Sequence, residues 1–279
     1  MKGKIVLALG GGGARGLAHI GVLKALNERR IRIKAITGTS MGTVVGAMYC
    51  SGKSPEEIQT LLETYVRKRR PGVLGVSRLM HRRARTPLGV LARNFRQRLL
   101  VNIGVSRISL FSLKSLVRLI DAVIPDVRIQ DLPLPFAAVS TDLLTGRDVV
   151  LDAGDLRTAV LASINIAGFF PPVPWDGKLL VDAGITQMVP VLSAAERFGR
   201  PVWAVDVSQA LEPMTGKENL VDLTYRYASI TQCALRDLHL AQADRILVPE
   251  VGDLEWFAFQ RLEEAVESGY QAAMADLEG

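Results

Sequence analysis

The chain has 279 residues, 48% hydrophobic and 22% charged, enough to bury a sizeable core within one domain. Its two cysteines, Cys50 and Cys233, lie far apart without CxxC or Cys/His spacing, which argues against a disulfide framework or zinc site and predicts two buried free thiols. The net charge of +6 is concentrated, because fourteen Lys or Arg and no Asp or Glu fall between Thr64 and Ile120, and the remainder is net acidic.

Lys2 and Lys4 precede the apolar run Ile5 to Leu9, but that run is too short for a signal peptide, so the expected compartment is the cytoplasm. No unbroken apolar span is long enough to cross a bilayer; the uncharged run Thr158 to Trp175 is interrupted by Asn165, Gly168 and three prolines. Any membrane contact is expected to be peripheral.

Lys4 to Leu9 predicts a short buried strand, Gly10 to Gly16 a glycine loop, and Leu17 to Arg29 a helix. Ile31 to Thr37 predicts a second strand, Gly38 to Gly42 a sharp turn, and Thr43 to Cys50 a helix closed by Ser51 and Gly52. The basic stretch from about 67 to 106 carries scattered Pro and Gly and reads as an insertion or lid. Regular signals resume with a helix at Leu113 to Val123, strands at Phe136 to Thr141 and Asp148 to Leu151, and a helix at Asp155 to Ser163. Beyond these come a strand at Leu179 to Val181, a helix at Val191 to Phe198, a strand at Pro201 to Val207, a helix at about Val221 to Gln242, a strand at Arg245 to Val248 and a last helix from about Phe257 to Leu277. Alternating strands and helices predict a three-layer α/β fold with a mostly parallel central sheet, and nothing forces a domain boundary within 1–279.

Gly38-Thr39-Ser40-Met41-Gly42 matches G-x-S-x-G where a strand turns into a helix, the setting of a nucleophile elbow; alternatively Ser40 is a helix N-cap. Gly11 to Gly16 satisfies GxGxxG, which also describes a dinucleotide-binding turn and so raises a nicotinamide-dependent oxidoreductase as an alternative. The second strand lacks the acid that such a site places on the ribose, and no Lys-Ser or Lys-Thr pair completes a Walker A loop. Bare backbone N–H groups facing the elbow, an oxyanion hole, is the remaining reading. None of His19, His81 and His239 lies where a hydrolase triad places its histidine. A carboxylate can serve instead if partial burial raises its pKa, and Asp182, followed by the small Ala183 and Gly184, is the candidate, with a surface-turn aspartate as the alternative.

The ordered motifs GGGARG, GTSMG and DAG, with Ala138 to Leu143, the run Ser163 to Val173 and Gly269 to Ala273, resemble the patatin-like phospholipase family, particularly its compact bacterial members, over nearly the whole chain. The resemblance implies a patatin-like fold and a Ser–Asp dyad without histidine: Ser40 as nucleophile, Asp182 as base, and the backbone of Gly11, Gly12, Gly13 and Ala14 as oxyanion hole. Arg15, Gly16, Gly38, Gly42 and Gly184 support the motifs. Ala183 stands where the family usually has Gly, and the Asn common before the following proline is absent from Gln187-Met188-Val189-Pro190. A positive φ at Ala183 would cost on the order of 1–2 kcal/mol.

The expected activity is hydrolysis of fatty-acyl esters, of phospholipase A, lysophospholipase or carboxylesterase type, through an acyl-enzyme and without cofactor or metal. A non-catalytic lipid-binding or regulatory module of the same fold is the alternative. The acid-free stretch, with apolar residues between its charges, suits either contact with an anionic membrane surface or a solvated basic face, which co-sedimentation with neutral and anionic vesicles separates. No stacking-aromatic pattern favours nucleic acid.

Overall fold

The computed structural model describes residues 4–68 and 112–278, except 212, 215, 217 and 219. The expected insertion at 67–106 therefore lies outside the described residues from 69 onward.

β1 (Ile5–Leu9) is buried at every position, and its alternating side chains enter two cores. Ile5, Leu7 and Leu9 join the larger core, while Val6 and Ala8 join a second one with Ala35, Val202 and Ala204. A strand apolar on both faces needs helices on both, which gives the three layers. α1 (Ala18–Glu28) and α2 (Met41–Cys50) contribute to the larger core, and α3 (Pro55–Lys68) adds Ile58 and Leu62. Next along the chain come α4 (Lys114–Val123), β3 (Phe136–Asp142), β4 (Asp148–Leu151), α5 (Leu156–Ser163) and the hairpin of β5 (Val173–Trp175) and β6 (Lys178–Asp182). α6 (Val191–Phe198), β7 (Val202–Val205), α7 (Leu220–Leu240), β8 (Arg245–Leu247) and α8 (Leu262–Glu278) complete the order. α6 covers the second core.

With β2 as Ile33–Thr39, the sheet runs β5-β6-β3-β2-β1-β7-β8, with β4 also paired to β3. β2 lies parallel to β1 and β3, and β7 lies parallel to β1 and β8, whereas β4 and β6 are antiparallel to β3. Register positions the site: Thr39 pairs with Val139, and Ser140 pairs with Asp182. The residue after Thr39 and the end of β6 therefore stand at one level of the sheet, two strands apart.

Two elements were not anticipated, α3 and β5, and Cys233 is half-buried rather than buried. Cys50 is buried, and burial pushes its thiol up.

Candidate active site

β2 delivers Ser40 with φ 54 and ψ −122, a left-handed conformation costing a non-glycine residue on the order of 1–3 kcal/mol. The turn is held from several sides. The Ser40 carbonyl accepts Thr43 N–H at 2.9 Å, and the Ser40 N–H donates to Ser163 Oγ at 3.2 Å. Ser163 Oγ donates to the Val139 carbonyl at 2.7 Å and so accepts from Thr43 Oγ1, also at 2.7 Å. Glycine is required beside it, since a Cβ on Gly42 would stand 2.2 Å from the Leu9 carbonyl oxygen. α2 thus starts directly above the end of β1, its N-terminus at the serine.

Asp182 ends β6, and its N–H donates to the Asn165 carbonyl at 2.8 Å. Burial raises the Asp182 carboxyl to about 6, opposed by the Ser40 side chain and by the Gly184 N–H, which favour its ionised form. The Gly184 bond, to Oδ1, is 2.7 Å long. Gly184 is itself held, its carbonyl accepting Gln232 Nε2 at 2.6 Å. Ala183 is fully buried and is not among the residues with positive φ, so the alanine carries no left-handed strain. Gln187, in the segment where the family's Asn is missing, accepts Thr39 Oγ1 at its carbonyl and donates from Nε2 to Asp148.

The glycine loop follows β1 and packs on the elbow: a Cβ on Gly11 would stand 3.2 Å from Ser40 Cβ. Of the four amides expected to face a substrate, two are occupied. Gly11 N–H donates to the Met188 carbonyl at 2.8 Å, and Ala14 N–H donates to the Trp256 carbonyl at 2.6 Å. Gly12 and Gly13 N–H groups have no acceptor among the described residues. Arg15 Nε donates to the Gly12 carbonyl at 3.4 Å, and its guanidinium also reaches Gln209. Gly16 packs on Met41, and Gly38 on the backbone of Thr43.

Neither of the described histidines is hydrogen-bonded to Ser40 or Asp182. His19 is fully buried, and burial lowers its pKa to about 4. Its Nε2 lies 2.7 Å from the Gly10 carbonyl; a carbonyl only accepts, so this nitrogen carries the proton and His19 braces the glycine loop. His239 is half-buried in α7, and burial lowers its pKa. His81 lies outside the described residues. Ser163, Asn165 and Trp256 are supports that reading the sequence did not single out by role. Each acts across the chain on a backbone group, which leaves no local pattern.

The arrangement offers a serine on a strained backbone, at one level of the sheet with a carboxyl of raised pKa, beside two amides available to an anion. No group of His, Cys, Asp or Glu suited to a metal ion occurs among the described residues.

A family model described as Patatin-like phospholipase matches residues 7–195. An uncharacterised NTE family protein of Mycobacterium bovis is 35% identical over 195 residues, 69% of this chain and 46% of that protein. The human Patatin-like phospholipase domain-containing protein 6 is 30% identical over 254 residues, 90% of this chain and 16% of that protein. The chain thus spans less than half the length of these relatives. Among solved structures, VipD from Legionella pneumophila superposes with a TM-score of 0.52 at 16% identity, over 100% of this chain and 67% of that one, a likeness of fold.

Proposed function

Because the chain belongs to the patatin-like phospholipase family, we propose that it is a serine acyl-hydrolase of fatty-acyl esters, with residues 1–279 as one such domain. The observation that carries this reading is that Ser40, held with positive φ at the end of β2, and Asp182, whose buried carboxyl is raised to about 6, stand at one level of the sheet. An aspartate of ordinary pKa is a weak base; raising the pKa towards working pH makes proton acceptance easier while the group stays mostly ionised.

Ser40 Oγ attacks the ester carbonyl as its proton passes to Asp182. The oxyanion is held by the Gly12 and Gly13 N–H groups. Collapse expels the alcohol, which takes the proton from Asp182, and leaves an acyl group on Ser40. Water then attacks the acyl-enzyme, again giving its proton to Asp182, and the fatty acid departs as the proton returns to Ser40. Each oxyanion donor is worth about 2.7–4 kcal/mol in systems where one has been removed.

The enzyme is expected in the cytoplasm and to meet its lipid peripherally, with the acid-free basic stretch favouring an anionic surface. No helix among the described residues is long and apolar enough to cross a membrane. The test is turnover of p-nitrophenyl acyl esters. Wild type hydrolyses them, and Ser40→Ala and Asp182→Asn each lose activity by about 10³-fold or more. Absence of wild-type turnover, or full turnover in either variant, would refute the hydrolase and favour a lipid-binding module.

A further inference from the structure

The mechanism above uses only polar groups, yet an acyl chain needs apolar surface beside the nucleophile. Two half-buried aromatics meet between the segments that support Ser40, Asp182 and the glycine loop. Trp256 and Phe169 contact edge to face, with centroids 6.4 Å apart and planes at 79°. A second edge-to-face contact, at 5.5 Å, fixes Trp256 on Phe257.

Each of the two belongs to a segment that holds part of the site. Phe169 follows Ser163 and Asn165, which accept the backbone N–H groups of Ser40 and Asp182 respectively. Trp256 accepts the Ala14 N–H at its carbonyl, and a Cβ on Gly13 would meet Trp256 Cβ at 3.2 Å. Phe169 leads into β5 at one end of the sheet order, and Trp256 follows β8 at the other end. Their contact joins the segment supporting the serine and the carboxylate to the segment supporting the glycine loop, closing a chain of contacts that begins and ends at Ser40. Ile166, 36% exposed, adds apolar surface to this side. An apolar pocket lies against α2 and α3. Its lining includes Met41, next to the nucleophile, and Phe259, three residues beyond Trp256, with Leu17, Val44 and Leu62.

We propose that Trp256, backed by Phe169, is the apolar wall along which the substrate's acyl chain lies, and that Trp256 sets selectivity for chain length. This rests on the acyl-hydrolase reading for its rate prediction but not for its binding prediction. Both are measured. In Ser40→Ala, methyl ω-bromododecanoate quenches tryptophan emission saturably, and adding Trp256→Phe removes at least about half of that quenching, because heavy-atom quenching acts at contact and the other tryptophans, Trp175 and Trp203, lie elsewhere in the fold. In the active enzyme, Trp256→Ala lowers the ratio of kcat/KM for p-nitrophenyl dodecanoate over butyrate about tenfold, as expected for losing roughly 50 Å² of apolar contact. Trp256→Phe, which retains an aromatic ring in the fold, falls between.

Quenching unchanged by Trp256→Phe, no saturable quenching at all, or an unchanged dodecanoate-to-butyrate ratio in Trp256→Ala would each overturn the wall. Trp256-dependent quenching in a protein whose wild type hydrolyses no ester would uphold the wall and remove the hydrolase reading.

Discussion

A carboxyl raised to about 6 is half-protonated near that pH and ionised above it. Only the ionised form accepts the Ser40 proton, so kcat/KM should rise about tenfold per pH unit below about 6 and level off above about 7. A profile flat through that range would place the base elsewhere. The same shift fixes a stability effect of opposite sense. Burial makes the folded protein hold the Asp182 proton more tightly than the unfolded chain does, so ionisation costs stability as pH rises from the unfolded value of 3.8 through about 6. Asp182→Asn should therefore raise Tm by a few degrees near about pH 8 and by little near about pH 4, read by calorimetry. At this scale the strand-end positions of the serine and the aspartate were legible, because each sits in a short motif. The amides were not sorted: the acceptors that occupy Gly11 and Ala14 are carbonyls of Met188 and Trp256, far along the chain, and a glycine run does not reveal which of its N–H groups meet them.

Among the elements, the turn from β2 into α2 makes the hardest demand. Gly42 lets α2 approach the Leu9 carbonyl to a distance that no Cβ tolerates. Gly42→Ala should cost about 1–3 kcal/mol in urea unfolding and more than about tenfold in ester turnover, as the elbow shifts. Gly252→Ala, at a position with nothing within 4 Å, is the neutral control; equal effects from the two would refute the close-packing account. The two elements not anticipated left local signals of their own. α3 is preceded by Ser54, whose N–H donates to Glu57 while Glu57 N–H donates back to Ser54 Oγ, a capping box readable as S-x-x-E. β5 and β6 are joined by Asp176-Gly177 with φ of 44 and 76, the Asp-Gly hairpin pair. The prolines around β5 hid that strand, and Pro174 is tolerated there because β5 is the edge of the sheet.

For the whole molecule, alternation of strands and helices was enough to expect parallel order, since buried apolar runs such as Ile5 to Leu9 need cover on both faces. The antiparallel run of β6 was not readable. It depends on pairing between segments separated in sequence, and it is what brings Asp182 to the level of Ser40 by way of Ser140. The pairing of a nucleophile with a base through sheet register is the claim on which the rest stands. Its most direct measurement is the rate of fluorophosphonate labelling with the modified peptide mapped by mass spectrometry. The account predicts one adduct, on Ser40, forming rapidly in wild type, at least about 10²-fold more slowly in Asp182→Asn, and not at all in Ser40→Ala. An adduct on another residue, or labelling of Ser40 at an undiminished rate in Asp182→Asn, would contradict it.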